Sequence, residues 1–85
     1  MIVINISITD NYKMNKDYLQ KFAHHLKNLR AKKGIKQDDF LNVDGISRST
    51  IAMIETAKTD VTLSKLKIIA NVLKVHPKDL LDFEE

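Results

Sequence analysis

Isoleucine occupies every second position near the start of the chain, at residues 2, 4, 6 and 8, with Val3, Asn5 and Ser7 between them. This period of two, built largely from β-branched residues, predicts a short β-strand. A single strand is not stable alone, and no second convincing strand follows it. Two interpretations of residues 1–13 remain open: they form an N-terminal arm that pairs with a second copy of the chain across a dimer interface, or they are disordered.

After residue 14 the apolar spacing changes to three and four residues, which predicts α-helices. The first helix is expected to run from about Lys16 to Lys32, and Gly34 supplies its stop. One face of this helix should be buried, because its apolar residues form a continuous stripe. The stripe contains Tyr18, Leu19, Phe22, Ala23, Leu26 and Leu29.

A second helix and a tight turn are predicted next. The helix should begin near Gln37, and Asp38 and Asp39 in its first turn complement the positive end of the helix dipole. Gly45 then supplies a left-handed turn residue before the third helix.

Three further short helices follow from caps and spacing. Ser47 caps the third helix, which should end near Thr56 or Ala57, Thr62 caps the fourth, and Pro77 takes the first position of a fifth. The fourth helix carries Leu63, Leu66, Ile69, Ala70 and Leu73 at core spacing, and the fifth contains Leu80 and Leu81, with Phe83 as a further candidate. Five short helices with short connections predict a compact all-α domain.

The composition fits one small domain, which we place at residues 14–85. Apolar residues make up 44% of the 85 residues and aromatic residues only 6%, so the core must be largely aliphatic. The absence of cysteine excludes disulfides, thiolate metal sites and thiol nucleophiles. A small domain without disulfides or a secretory signal is expected in the cytoplasm, and the apolar start is too short to span a bilayer.

The net charge of +3 is unevenly distributed along the chain. Residues 13–36 contain eight basic residues against Asp17 alone, whereas residues 76–85 contain four acidic residues against Lys78. A basic half favours a polyanionic partner. The alternative is that these basic residues form an ordinary solvated helix face. The basic residues are Lys13, Lys16, Lys21, Lys27, Arg30, Lys32, Lys33 and Lys36.

The third helix has an outward face suited to the major groove of DNA. Projection at 100° per residue buries Ile51 and Ile54, with Ser47 beside them. Small side chains let a helix approach base edges, and an arginine pairs with guanine O6 and N7. The alternative is an ordinary amphipathic helix whose exposed face has no function. The outward residues are Arg48, Ser49, Ala52 and Thr56, flanked by Met53 and Glu55.

Residues 22–81 resemble the helix-turn-helix domain of phage repressors, Cro proteins and their bacterial relatives, the XRE family. The motifs that carry the resemblance are Leu29-Arg30, Lys33-Gly34, Gln37-Asp38-Asp39-Phe40, Gly45-Ile46-Ser47-Arg48-Ser49-Thr50-Ile51, Ile54-Glu55, Leu63-Ser64-Lys65-Leu66, Ile69-Ala70 and Val72-Leu73-Lys74-Val75. The resemblance implies a sequence-specific transcription regulator that binds double-stranded DNA as a homodimer.

Residue roles follow from the same resemblance, position by position. Gln37 matches a glutamine that contacts a backbone phosphate and braces the recognition helix, and Glu55 matches a structural glutamate. The implied base-contacting residues are Arg48, Ser49, Thr50 and Met53, and the implied phosphate contacts are Gln37, Thr56 and Lys58.

Five positions depart from the family pattern. Leu41 replaces a small residue, and Asp44 stands where an apolar or small residue is usual, so the second helix should be shifted or end early. Lys36 and His76 occupy cap positions where Ser, Thr or Asp are frequent. Ala57 replaces a frequent glycine.

Neither an enzyme nor a cofactor-binding protein is indicated. His24 and His25 are adjacent on one helix and lack the i, i+4 spacing of a helical metal site, so we expect them at the surface. With only two glycines, the chain has no glycine-rich phosphate loop, and it has no room for a ligand domain.

The alternative function is a protein-interaction module, such as an antitoxin or adaptor, that binds a partner protein with the same fold. The departures at Leu41 and Asp44 and the apolar outward residues Ala52 and Met53 favour it. Among regulators, the candidates are a phage-type repressor, a restriction–modification controller protein and an antitoxin. The candidate dimer surfaces are residues 2–8 and the final helix with Leu80, Leu81 and Phe83.

Overall fold

The computed structural model describes residues 14–84, which form an all-α domain. Three α-helices and two 3₁₀ helices follow one another in the predicted order, and this part of the chain contains no strand. The predicted strand at residues 2–8 lies outside the described residues. The α-helices are α1 (Lys16–Lys32), α2 (Arg48–Glu55) and α3 (Leu63–Leu73), and the 3₁₀ helices are Gln37–Phe40 and Pro77–Leu81.

The expectation of five helices is therefore correct in order but wrong in type for the second and fifth. The second is a single 3₁₀ turn, in which the Asp39 N–H donates to the Lys36 carbonyl at 3.0 Å and the Leu41 N–H donates to the Asp38 carbonyl at 3.0 Å. It ends early, as Leu41 and Asp44 predict. Leu41 stays 61% exposed because the chain turns away instead of adding a helical turn against α2.

Side-chain caps fix where the three α-helices begin. Asn15 accepts from the Tyr18 N–H at 3.0 Å, and the predicted caps Ser47 and Thr62 are confirmed. At Lys36, by contrast, the side chain provides no cap, and the Lys36 N–H instead donates to the Asp39 carboxylate at 2.7 Å.

A mostly aliphatic core lies between the helices, with α1 packed on α2 and the second 3₁₀ helix packed on both α1 and α3. Phe40 anchors the first 3₁₀ helix in this core. The fully buried side chains are Leu26, Phe40, Ile51, Ile54, Ile69, Leu73 and Leu80. The predicted helix stripes therefore meet, with one exception. Leu63, expected in the core, is 83% exposed, because it is the first residue of α3 and lies outside the contact between the helices.

The C-terminal segment closes over α1. Phe83 packs against Tyr18, Phe22 and His25, with ring centroids 5.2, 6.4 and 5.5 Å away. His25, expected at the surface, is half-buried and donates from Nε2 to the carbonyl oxygen of Asp79 at 2.7 Å. This bond fastens the second 3₁₀ helix to α1, and His76 caps that helix by accepting from the Lys78 N–H at 3.2 Å.

Gly45, the predicted left-handed turn residue, has φ of 88°. It also lies close to α3, because a Cβ at this position would be 2.7 Å from Cδ1 of Ile68. Both the backbone conformation and the close approach therefore require glycine here.

Gly45→Ala is expected to lower the free energy of unfolding by about 1–2 kcal/mol for the left-handed backbone, with a further cost because Ile68 must move. Gly34→Ala is the matched control, since Gly34 has φ of 69° but no heavy atom within 4 Å of the added methyl. Urea unfolding measures both. Equal losses would contradict the close-approach argument, and an Ile68→Val background should remove the extra cost.

Candidate nucleic-acid interface

The leading end of α2 is exposed while its rear face is anchored in the core. Ile51 and Ile54 are fully buried, as the helical projection predicts, whereas Arg48 and Ser49 at the first two positions are exposed. The Ser47 hydroxyl accepts from the Thr50 N–H at 3.1 Å, so the first turn is held in register. α2 therefore exposes its N-terminal turn to solvent while its rear face stays in the core.

A buried ion pair joins α2 to α1. Arg30 donates from Nε to Glu55 Oε2 at 2.7 Å and from Nη2 to Oε1 at 2.9 Å, and its Nη1 donates to the carbonyl oxygen of Ile35 at 2.9 Å. The two side chains are 18% and 1% exposed. Glu55, which the helical projection placed beside the outward face, therefore points inward towards Arg30, in line with the structural role that the family resemblance implies.

Hydrogen bonding to Glu55 raises the pKa of the Arg30 guanidinium above its ordinary value, although burial opposes this. Because the pKa of Arg30 is raised, the guanidinium is charged and stabilises the fold at any pH below that pKa. This stabilisation is lost only as the pH rises through the raised pKa. The guanidinium therefore stays charged throughout the physiological range. The charge of Arg30 is paired inside the domain, so it does not add to the basic surface predicted from residues 13–36.

Gln37 completes the buried network. Its Nε2 donates to Glu55 Oε1 at 3.0 Å, so the first residue of the 3₁₀ helix is tied to the last residue of α2. The bracing role that the family resemblance implies for Gln37 is thus present in the structure. Its phosphate contact stays a prediction.

The remaining predicted site residues lie on or beside the outward face of α2. Thr50 is half-buried, with its hydroxyl 3.0 Å from that of Ser47, and Thr56 donates from its hydroxyl to the carbonyl oxygens of Ala52 and Met53 at 3.0 and 3.2 Å. Ser49, Met53 and Lys58 are exposed, and their side chains make no hydrogen bond within residues 14–84. All seven predicted residues therefore border α2, although Gln37 and Thr50 are partly buried.

Arg48 carries an ion pair that the sequence did not suggest. Its Nε donates to Oδ1 of Asp38, the second residue of the first 3₁₀ helix, and both side chains are exposed. The predicted guanine reader is therefore held by an acidic neighbour in the free protein.

Sequence reasoning also missed the pairing of Arg30 with Glu55, although a signal existed. Arg30 lies four residues after the buried Leu26, and Glu55 lies four residues after the buried Ile51. Each therefore continues the apolar face of its own helix, and two opposite charges on adjoining buried faces are expected to pair.

The turn after α2 adopts an unusual backbone conformation. Ala57 is buried and has φ of 57°, the left-handed region that a glycine would take more easily. The Lys16 ammonium donates to the Ala57 carbonyl oxygen at 3.2 Å and links this turn to the start of α1. Ala57 therefore takes the left-handed conformation itself, at the position where the family frequently has glycine.

A short helix with a buried rear face, an exposed leading end and a preceding helical turn braced against it defines a helix-turn-helix domain. The family model for helix-turn-helix domains matches residues 26–80, and the chain belongs to this XRE-type family of non-enzymatic DNA-binding transcription regulators.

A comparison with solved structures found the restriction-modification controller protein C.AhdI from Aeromonas hydrophila to be similar. The two share 31% sequence identity with a TM-score of 0.67, over 73% of this chain and 94% of that chain. No curated protein sequence matches the chain. Within residues 14–84, no helix is long and apolar enough to cross a membrane.

Arg30→Met should lower the free energy of unfolding by about 3 kcal/mol, because it leaves the buried Glu55 carboxylate without its cation. The double variant Arg30→Met/Glu55→Leu should recover most of that loss, since both charges are then gone. Lys32→Met, an exposed change in the same turn of α1, is the control and should stay within about 0.5 kcal/mol. Urea unfolding measures all three, and additive losses in the double variant would argue against the pair.

Proposed function

We propose that the protein is a sequence-specific transcription regulator that inserts α2 into the major groove of double-stranded DNA as a homodimer. The observation that carries the proposal is the exposed leading end of α2, presented on a rigid, buried rear face. Within residues 14–84, α2 is the helix that combines a solvent-exposed N-terminal turn with the small outward side chains of Ser49 and Ala52. The protein would act in the cytoplasm, as expected from its composition.

Base contacts are assigned to the outward residues of the first two turns. Arg48 suits guanine O6 and N7, Ser49 suits any base edge with a hydrogen-bonding group, and Met53 suits a thymine methyl. Thr50 is placed at the margin of the contact, because its backbone and hydroxyl already bond to Ser47.

Phosphate contacts are assigned to the C-terminal end of α2. Lys58 follows α2 and is exposed. The Thr56 hydroxyl lies on the same margin and would exchange its bonds to the Ala52 and Met53 carbonyl oxygens for one to a phosphate. The Gln37 side chain reaches the same end, where Nε2 donates one hydrogen to Glu55 and keeps a second N–H that can donate to a phosphate oxygen. These contacts would set the register of α2 on the duplex without reading sequence.

Of the three regulator types that the sequence left open, similarity to a restriction-modification controller protein favours the controller type. The chain would then act on DNA near its own gene. The observation that favours the alternative, a protein-interaction module, is the exposure of two apolar side chains, Leu41 in the loop before α2 and Met53 on α2.

Salt-titrated binding separates these two functions. We expect preferential binding to duplex from just upstream of the gene, with the logarithm of affinity falling by about 0.9 per tenfold rise in salt for each phosphate neutralised. Arg48→Ala should weaken binding to this duplex by roughly 5- to 150-fold, with a much smaller effect on random duplex. Equal losses on both duplexes would show that Arg48 contacts phosphate, and no binding at low salt would favour the protein-interaction module.

The homodimer is assigned to an apolar surface between α1 and the C-terminal segment. Leu63, the first residue of α3, is 83% exposed, and Leu81 is also exposed beside it. They border a shallow groove floored by apolar side chains, which a second copy would cover. The groove is lined by Tyr18, Leu19, Phe22, Val61, Leu63, Leu66 and Leu81, with Asp60 and Thr62 as its polar residues. Of the residues expected on this surface, Leu80 is fully buried and Phe83 is half-buried and packs against α1, so Leu81 remains from the predicted set.

The double variant Leu63→Lys/Leu81→Lys should sediment as a monomer at concentrations where the wild type is a dimer, because it places two charges in the apolar contact. Leu41→Lys is the matched control, since Leu41 is equally apolar and exposed but lies away from the groove. Analytical ultracentrifugation measures the oligomeric state of the wild type and of both variants. A wild-type protein that is monomeric at high micromolar concentration would refute the dimer, and dissociation by the control variant would refute the assigned surface.

A further inference from the structure

The ion pair between Asp38 and Arg48 leaves the guanine-reading edge of Arg48 free. The contact uses Nε, at the side of the guanidinium, so the two terminal amino groups make no hydrogen bond within residues 14–84. A bidentate contact with guanine O6 and N7 needs two parallel donors. The terminal amino groups supply such a pair, so Arg48 could read guanine without releasing Asp38.

The first 3₁₀ helix fixes the position of Asp38. It is the second residue of a 3₁₀ helix whose neighbours are fixed, since Gln37 bonds Glu55 and the Phe40 side chain is fully buried. The adjacent Asp39 carboxylate is already occupied by the Lys36 N–H at 2.7 Å. The Asp38 carboxylate is therefore the one in this turn that faces the start of α2.

We propose that Asp38 is a positioning residue that determines specificity: its carboxylate holds Arg48 in the orientation for a guanine contact and keeps it from binding backbone phosphate. This inference rests on the proposed DNA-binding function. An unrestrained arginine rotates about its side-chain bonds and can bind any nearby phosphate, whereas one fixed at Nε presents its terminal edge in one direction.

The negative charge of Asp38 also favours specific over non-specific binding. A carboxylate at the duplex surface neutralises Arg48 locally, so the pair contributes little to the release of counterions from random DNA. Removing the carboxylate frees one cation for phosphate. Binding to random duplex should therefore become stronger and more salt-dependent, while the preference for guanine at one position falls.

The test uses selection from a randomised duplex library, followed by salt-titrated binding of a selected and a random duplex. Wild type should select a guanine in each half-site. Asp38→Ala should reduce the ratio of specific to random affinity by about tenfold, weaken selection of that guanine, and steepen the salt slope on random duplex by about 0.9.

Asp44→Ala is the matched control, because Asp44 is an exposed aspartate in the loop that follows the first 3₁₀ helix, and its side chain makes no hydrogen bond within residues 14–84. It removes the same charge but leaves Arg48 held. Asp38→Asn keeps an oxygen acceptor for Arg48 without the charge and should retain the guanine preference better than Asp38→Ala. A purely structural role for Asp38 would lower thermal stability without changing the selected base.

Three results would overturn the inference. One is an unchanged guanine preference and affinity ratio in Asp38→Ala. Another is an equal change in Asp44→Ala, which would show a general charge effect. The third is a wild-type motif without guanine. If wild type selects no sequence at all, the proposed function itself fails, and the wild-type arm alone reveals that before any variant is compared.

Discussion

The orientation of α2 depends on one buried carboxylate. Glu55, the last residue of α2, receives two hydrogen bonds from Arg30 of α1 and one from Gln37 of the first 3₁₀ helix. A buried charge is costly unless it is paired, so all three elements must come together before Glu55 is satisfied. The same group thus links the scaffold, the preceding turn and the helix that faces outward, and apolar packing of Ile51 and Ile54 fills the space beneath it.

This arrangement separates structural charge from surface charge. Arg30 belongs to the basic half of the chain by sequence but serves the interior, whereas Arg48 remains at the surface with an acidic neighbour. The net charge of the chain is therefore a poor measure of what DNA would meet. The relevant quantity is the set of exposed cations near α2, moderated by Asp38.

The sequence predicted those parts of the fold that local pattern controls. The stripe of α1, the caps Ser47 and Thr62, and the left-handed Gly45 all depend on residues close in the chain, and the structure confirms them. The 3₁₀ form of the second helix, the inward direction of Glu55 and the pairing of Asp38 with Arg48 depend on which distant segments meet. Departures at Leu41 and Asp44 signalled the shortened helix. Partners between helices were missed because each helix was considered separately, although the positions of Arg30 and Glu55 on buried faces carried a signal for their pairing.

The segment between Phe40 and Ile46 has a consequence for how this fold can vary. Both end residues are buried, whereas Leu41, Asn42, Asp44 and Gly45 between them are exposed and Val43 is only partly covered. The two ends are thus fixed to the core independently, and the loop between them spans a set gap instead of packing as a helix. This loop can therefore differ in sequence or length between relatives with little strain on the rest of the domain. The condition is that the residue at the position of Gly45 keeps its left-handed backbone conformation beside α3.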